Sequence, residues 1–153
     1  MFQFDSGQVN MKINRTGVSR IVLEFKNFVI KIPNFTYSWY HFIWGICSNI
    51  EENQCWKWNS GKYEKGKSHL LCPVKWCSYG GWILIMQKAN IKRHEIEVRN
   101  LPLSTIPPEE ETIIRYKEWI EAGFGGDDKC DNYGYIEDRL VKIDYSRDYN
   151  KII

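Results

Sequence analysis

The chain lacks any apolar run long enough to cross a membrane. Its longest, near Ile43–Ile46 and Trp82–Met86, fall far short of the roughly 20 residues a spanning helix needs. It also lacks a cluster of Lys or Arg, and its net charge is only +2. That balance argues against nucleic acid as a partner and tolerates nothing more anionic than nucleotide phosphates. The opening Met1-Phe2-Gln3-Phe4-Asp5 has neither the basic start nor the apolar stretch of a signal peptide, so a cytoplasmic protein is expected. The five cysteines, Cys47, Cys55, Cys72, Cys77 and Cys130, form an odd set without paired spacing and read as free thiols in a reducing compartment. Cys72-x4-Cys77 would supply half a zinc site, but no second pair matches it. Small buried apolar residues on a strand are the better reading. No internal repeat or low-complexity tract is present.

What the chain does have is apolar and aromatic bulk. With 43% hydrophobic and 15% aromatic residues in 153, it can bury a sizeable core within one domain. Seven Trp are unusual in so short a chain; most are expected in the core, and some to stay exposed and serve an interface.

The N-terminal third reads as a β-meander. Gln8–Ile13 alternates weakly. Arg15–Ser19 is a turn, Arg20–Phe25 a β-branched strand, Lys26-Asn27 a hairpin turn, and Phe28–Ile32 a strand closed by Pro33. From Ser38 the period becomes helical. Trp39, Phe42, Ile43, Ile46, Cys47 and Ile50 are expected to form one apolar face, and Asn59-Ser60-Gly61 to stop the helix. Leu70–Cys77 reads as a strand interrupted at Pro73, Tyr79-Gly80-Gly81 as a tight turn, and Trp82–Gln87 as a buried strand. Asn90–Thr105 is a connector. Pro107-Pro108-Glu109-Glu110-Glu111 opens a second helix, since Pro suits the first turn and Glu the positive end of the helix dipole. Glycines at 123, 125 and 126 end it. Tyr133–Ile136 and Arg139–Ile143 make a last hairpin around Glu137-Asp138.

Between that helix and that hairpin lies Asp127-Asp128-Lys129-Cys130-Asp131-Asn132, and Asp144-Tyr145-Ser146 begins twelve residues after the Asn. An Asp-rich turn before a plain hairpin would also use these residues. Read as D-x-K-x-x-N followed by D-Y-S, however, the block resembles the catalytic loop and metal-binding triplet of protein-kinase-like phosphotransferases. The run 132–145, which opens Asn-Tyr-Gly and closes Ile-Asp-Tyr, is similar to the segment that opens N-[FY]-G and closes [IL]-D-[FY] in the small members of that superfamily.

The resemblance covers roughly Gly17 to Ser146 and implies an α+β, kinase-like fold. Residues 1–89 would form an N-lobe-like antiparallel sheet with one helix. Residues 90–153 would form a truncated C-terminal part with one helix, a catalytic-type loop and a hairpin, the two making one compact unit. By resemblance, Asp127 orients or deprotonates the acceptor hydroxyl, Lys129 neutralises the moving phosphoryl group, and Asn132 and Asp144 hold magnesium. Lys31, on the third strand, takes the place of the Lys that holds the ATP phosphates, with Glu52 preferred over Glu51 as its helix partner. Gly17 lies where the glycine-rich loop approaches the phosphates. Gln87-Lys88-Ala89 would offer backbone groups of Gln87 and Ala89 to adenine, although a core strand leading into a loop reads equally well.

Departures from the pattern are substantial. The glycine-rich loop is reduced to Gly17, the H-R-D motif reads Gly125-Gly126-Asp127, and Ser146 replaces the Gly of the triplet. Only nine residues follow Asp144, leaving no activation segment, A-P-E motif or long central helix. Two functions follow. One is a minimal phosphotransferase that binds ATP and magnesium and moves the γ-phosphoryl group to a hydroxyl. The other is a degenerate kinase-like protein that docks a host protein, or a second copy of itself, through Trp39, Tyr40, Trp44, Trp56, Trp58 and Trp76. The abundance of Ile, Lys, Asn and Tyr hints at a phage-encoded protein acting in the host cytoplasm against a host or defence factor.

Overall fold

The computed structural model describes residues 11–14, 17–61, 67–91 and 132–146. The helix expected after Pro107 and the stretch carrying Asp127 and Lys129 lie outside them. The described chain is α+β. A five-stranded antiparallel sheet runs in the order β1(Lys12–Asn14), β2(Arg20–Glu24), β3(Phe28–Pro33), β5(Leu84–Gln87), β4(Val74–Cys77). One helix, α1(Trp39–Ser60), connects β3 to the β4 side, and β6(Tyr133–Ile136) and β7(Arg139–Lys142) form a separate hairpin. Among the described residues no helix is long and apolar enough to cross a membrane.

Local chemistry accounts for the boundaries. The β2–β3 turn closes with Phe25 N–H donating to Phe28 O at 2.9 Å and the two rings stacked at 4.6 Å. Ser38 caps α1 in extended conformation, its Oγ accepting from His41 N–H at 3.4 Å. Lys57 sits in the last turn, at the negative end of the helix dipole. The strand expected from Trp82 starts instead at Leu84. Ser78 accounts for this, because its hydroxyl accepts from Ile83 N–H and its own N–H donates to Ile83 O, both at 2.8 Å. That closes a loop over Gly80 and Gly81, whose φ values of 77° and 73° suit residues without a Cβ. Trp82 and Ile83 are consequently exposed. The expected strand from Leu70 likewise begins only at Val74, after a 3₁₀ turn over Lys67–Leu70.

Register decides what faces the helix. Val22 pairs with Lys31, Arg20 with Pro33, Val29 with Met86, and Lys31 with Leu84. Since side chains alternate along a strand, Arg20, Val22, Val29, Lys31, Leu84 and Met86 share one face. Helix α1 packs on that face, though not through the apolar stripe expected of it. Its buried residues are Gly45, Ser48, Asn49 and Glu52, whereas Trp39 and Ile43 are exposed. The reason is a close approach matched by polar groups. A Cβ on Gly45 would collide with the Ser19 carbonyl and lie 2.9 Å from Pro33 Cα. One turn on, the Asn49 amide donates to Gly81 O at 2.8 Å and Lys31 O at 3.3 Å.

The hairpin is stitched beneath the sheet at two places. Asn90 and Tyr135 exchange backbone bonds of 2.8 and 2.7 Å, and Cys72 N–H donates to Lys142 O at 2.9 Å. Tyr145 adds a hydroxyl bond to Cys72 O at 3.0 Å. Leu71, Cys72, Val74, Leu84, Met86, Val141 and Tyr145 form the core around this seam. Burial pushes the Cys72 thiol up to about 12, and it donates to Gln87 O at 3.0 Å. It is therefore a packed core group.

Gly45→Ala tests the close approach. Helix propensity alone favours Ala by about 1 kcal/mol, whereas overpacking against fixed backbone costs about 1–3 kcal/mol. Urea denaturation should show net destabilisation; a gain in stability would mean that α1 has room to lift off the sheet.

Candidate functional site

Four charged side chains from three elements and a loop meet under the sheet. Lys31 from β3 donates to both Glu52 oxygens, at 2.9 and 3.1 Å, and to the Ile143 carbonyl at 2.7 Å. Arg20 from β2 divides its guanidinium between two carboxylates: Nη1 lies 2.9 Å from Glu52 Oε1, and Nη2 lies 2.8 Å from Asp144 Oδ2. Nη1 also reaches Asn49 Oδ1 at 3.4 Å. Asp144 Oδ1 accepts from the Ser146 hydroxyl at 3.1 Å. Two cations and two carboxylates thus balance.

The local sequence explains how this assembles. Glu52 lies seven residues beyond Gly45 and three beyond Asn49, so the close-packed stripe of α1 carries it inward. Arg20 and Lys31 share its face through the β2–β3 register. Asp144 follows β7 by two residues, and the Ile143 N–H donates to Asn132 O at 2.8 Å, which ties Asn132 to the same turn.

Burial makes these charges consequential. The Glu52 side chain is wholly buried, those of Arg20 and Lys31 nearly so, and that of Asp144 is 37% exposed. Burial pushes the Glu52 carboxyl above the ordinary range, opposed by the positive charges of Arg20 and Lys31. For Asp144, burial acts in the same direction, but Arg20 and then Lys31 outweigh it and hold the carboxyl well below the usual range. Burial opposes the charge on Arg20, and its two carboxylate partners more than restore it.

Of the residues expected to form a site, Lys31, Glu52 and Asp144 are brought together, with Asn132 adjoining; the partner of Lys31 is Glu52 rather than Glu51. Gly17 stands three residues before Arg20 on an exposed turn, its carbonyl accepting from the Asn34 amide at 3.2 Å. Gln87 ends β5 with its backbone engaged, the N–H by Pro73 O at 2.9 Å and the carbonyl by the Cys72 thiol. Ala89 follows where the chain meets Gly134 of the hairpin. Asp127 and Lys129 lie outside the described residues. Arg20 is the member of the cluster that the sequence expectation lacks. The signal was available, because once Lys31 is placed opposite Val22, alternation puts Arg20 on the same inward face.

Among the described residues no group of three or more His, Cys, Asp or Glu side chains is arranged to hold a metal ion, so any cation at Asp144 would need ligands from elsewhere, such as a bound phosphate. Asp144 is the one partly open carboxylate of the cluster, with Oδ2 toward Arg20 and Oδ1 toward the Ser146 hydroxyl.

Glu52→Gln should cost about 3–5 kcal/mol in urea unfolding, because it leaves two buried cations undercompensated. Asp144→Asn should cost clearly less, since Asp144 is partly solvated and Arg20 keeps Glu52. Equal losses, or the reverse order, would show that the cluster is not centred on Glu52. No family model matches this sequence, and neither the curated proteins nor the solved structures compared with it give a match.

Proposed function

We propose that the chain is a minimal kinase-like protein that binds ATP with magnesium beneath its five-stranded sheet and transfers the γ-phosphoryl group to a hydroxyl acceptor. The observation that carries this reading is the pairing of Lys31 with Glu52 at 2.9 Å, next to Asp144. A strand Lys fixed by a helix Glu beside a metal-type carboxylate is the arrangement a phosphate-binding site uses. The element order, three strands, helix, two strands and a later hairpin, supports it as well.

Each residue then has a role. Glu52 and the Ile143 carbonyl hold the Lys31 ammonium toward the phosphates, where it acts as a fixed positive charge. Asn132 and Asp144 would hold the metal. Magnesium, when bound, neutralises charge on the phosphate oxygens. Asp127 would orient the acceptor hydroxyl and take its proton, with Lys129 stabilising the charge on the transferred group. Gly17 would let the backbone come close to the phosphates. On the hinge, the bonds already made by Gln87 leave Ala89 as the better backbone contact for adenine.

A second reading is favoured by the exposure of large aromatics. Trp39 and Trp58 are about three-quarters exposed, and Tyr40 and Trp76 about half. Trp44 and Trp56 are half-buried. Phe35, Tyr37, Tyr79 and Trp82 join the exposed group. On this reading the protein is a degenerate kinase-like binder that docks a host protein or a second copy of itself in the host cytoplasm. If the docking partner is a second copy, Trp39→Asp should shift sedimentation from dimer to monomer without changing nucleotide response; a wild-type monomer would remove that version.

Thermal shift and calorimetry with millimolar ATP, with and without magnesium, test the main reading. Magnesium–ATP should raise the Tm of the wild type by about 3 °C. Lys31→Met and Asp144→Ala should lose the effect. A wild type that ignores ATP under both conditions sinks the nucleotide reading.

A further inference from the structure

Arg20 has no part in the roles just assigned, yet it is the only side chain of the cluster that touches both carboxylates. One guanidinium nitrogen reaches Glu52 and the other reaches Asp144, at 2.9 and 2.8 Å. A cation set between two carboxylates is what a divalent metal would supply at the same place. Its position is firmly built. Arg20 is nearly buried, Asn49 touches the nitrogen on the Glu52 side, and β2–β3 pairing fixes its backbone. Asp144 Oδ2, the oxygen that Arg20 occupies, belongs to the one member of the cluster open to solvent.

We infer that Arg20 is an internal counter-ion that holds Asp144 in the absence of ligand and competes with a divalent cation for it. The inference deepens the nucleotide-site reading, because it takes Asp144 as the carboxylate that meets the metal. Arg20 is a positioning residue in this scheme. Its planar fork binds phosphate as well as carboxylate, so an arriving phosphate gives the guanidinium a new partner and releases Asp144. Metal alone offers no such exchange. Cation binding in the wild type is then conditional on phosphate, and removing Arg20 makes it unconditional. Without Arg20, the Glu52 and Asp144 carboxyls, which already contact each other, lose the cation they share, which strengthens their demand for another.

The test uses metal alone, with no nucleotide, so that it is decided separately from ATP binding. Tm is measured by circular dichroism in magnesium or manganese chloride against sodium chloride of matched ionic strength. The proteins are wild type, Arg20→Gln and Arg20→Lys. The Lys variant keeps a positive charge, which favours folding, but a single ammonium lacks the two-pronged reach of the guanidinium. Either metal should raise the Tm of both variants by about 3 °C or more, with the larger rise in Arg20→Gln, and leave the wild type unchanged. If Arg20→Gln does not fold, the Lys variant decides. A flat response in the folded variants, or a wild-type rise equal to theirs, overturns the inference. If metal rescues the variants while the wild type ignores ATP, the counter-ion role stands and the nucleotide reading alone falls.

Discussion

Glu52 carries a carboxyl group into a place with no access to water, and the surrounding structure answers that cost. Two cations from adjacent strands converge on it, and a third element brings a second carboxylate to balance them. A buried charge without a partner would cost several kcal/mol, so β2, β3, α1 and the turn after β7 cannot shift independently. The same requirement explains the odd face of α1. A helix that must deliver Glu52 and Asn49 to the sheet cannot bury its aromatic side as well. It approaches closely along Gly45 and Ser48 and leaves Trp39 and Ile43 outside.

The cluster is also where a structural and a chemical account of the fold coincide. As structure, it crosslinks the sheet to the hairpin through side chains, where Cys72, Asn90 and Tyr145 do so mainly through backbone acceptors and donors. As chemistry, it holds an ammonium, a guanidinium and a partly open carboxylate at bonding distance under the middle of the sheet. Structural ion pairs and catalytic ones look alike at this level. Asp144 is the member of the network that solvent can reach, which lowers the cost of its charge and leaves it accessible to a ligand.

Much of this was legible in the sequence. β2, β3, α1 and the final hairpin fall where β-branched runs, helical spacing and turn residues put them, because those signals are local. The Lys31–Glu52 pair was reached through resemblance and a choice between neighbouring glutamates; helical geometry then decides for Glu52, which follows Gly45 and Asn49 on one stripe. Two features escaped for a shared reason. The buried face of α1 and the part played by Arg20 both depend on polar groups satisfying one another across elements, which hydrophobic periodicity does not register. β5 starts later than its apolar run suggests because a serine side chain closes the preceding loop.

The seam between sheet and hairpin has a temporal consequence. Lys31 and the carbonyl that steadies it are 112 residues apart, and Tyr145 lies 73 residues beyond the carbonyl it grips. During synthesis, the meander and α1 emerge long before the hairpin does. Until residues 132–146 leave the ribosome, Arg20 has no Asp144 to meet and Lys31 lacks the Ile143 carbonyl, although α1 can already cover part of the sheet. The nascent chain therefore passes through an interval in which Leu71, Cys72 and Met86 lack Val141 and Tyr145, and two cations face the single carboxyl of Glu52. Contacts this distant in sequence also close slowly, since the intervening loop must be ordered before they form. The last hairpin is thus the piece that completes both the core and the charge cluster.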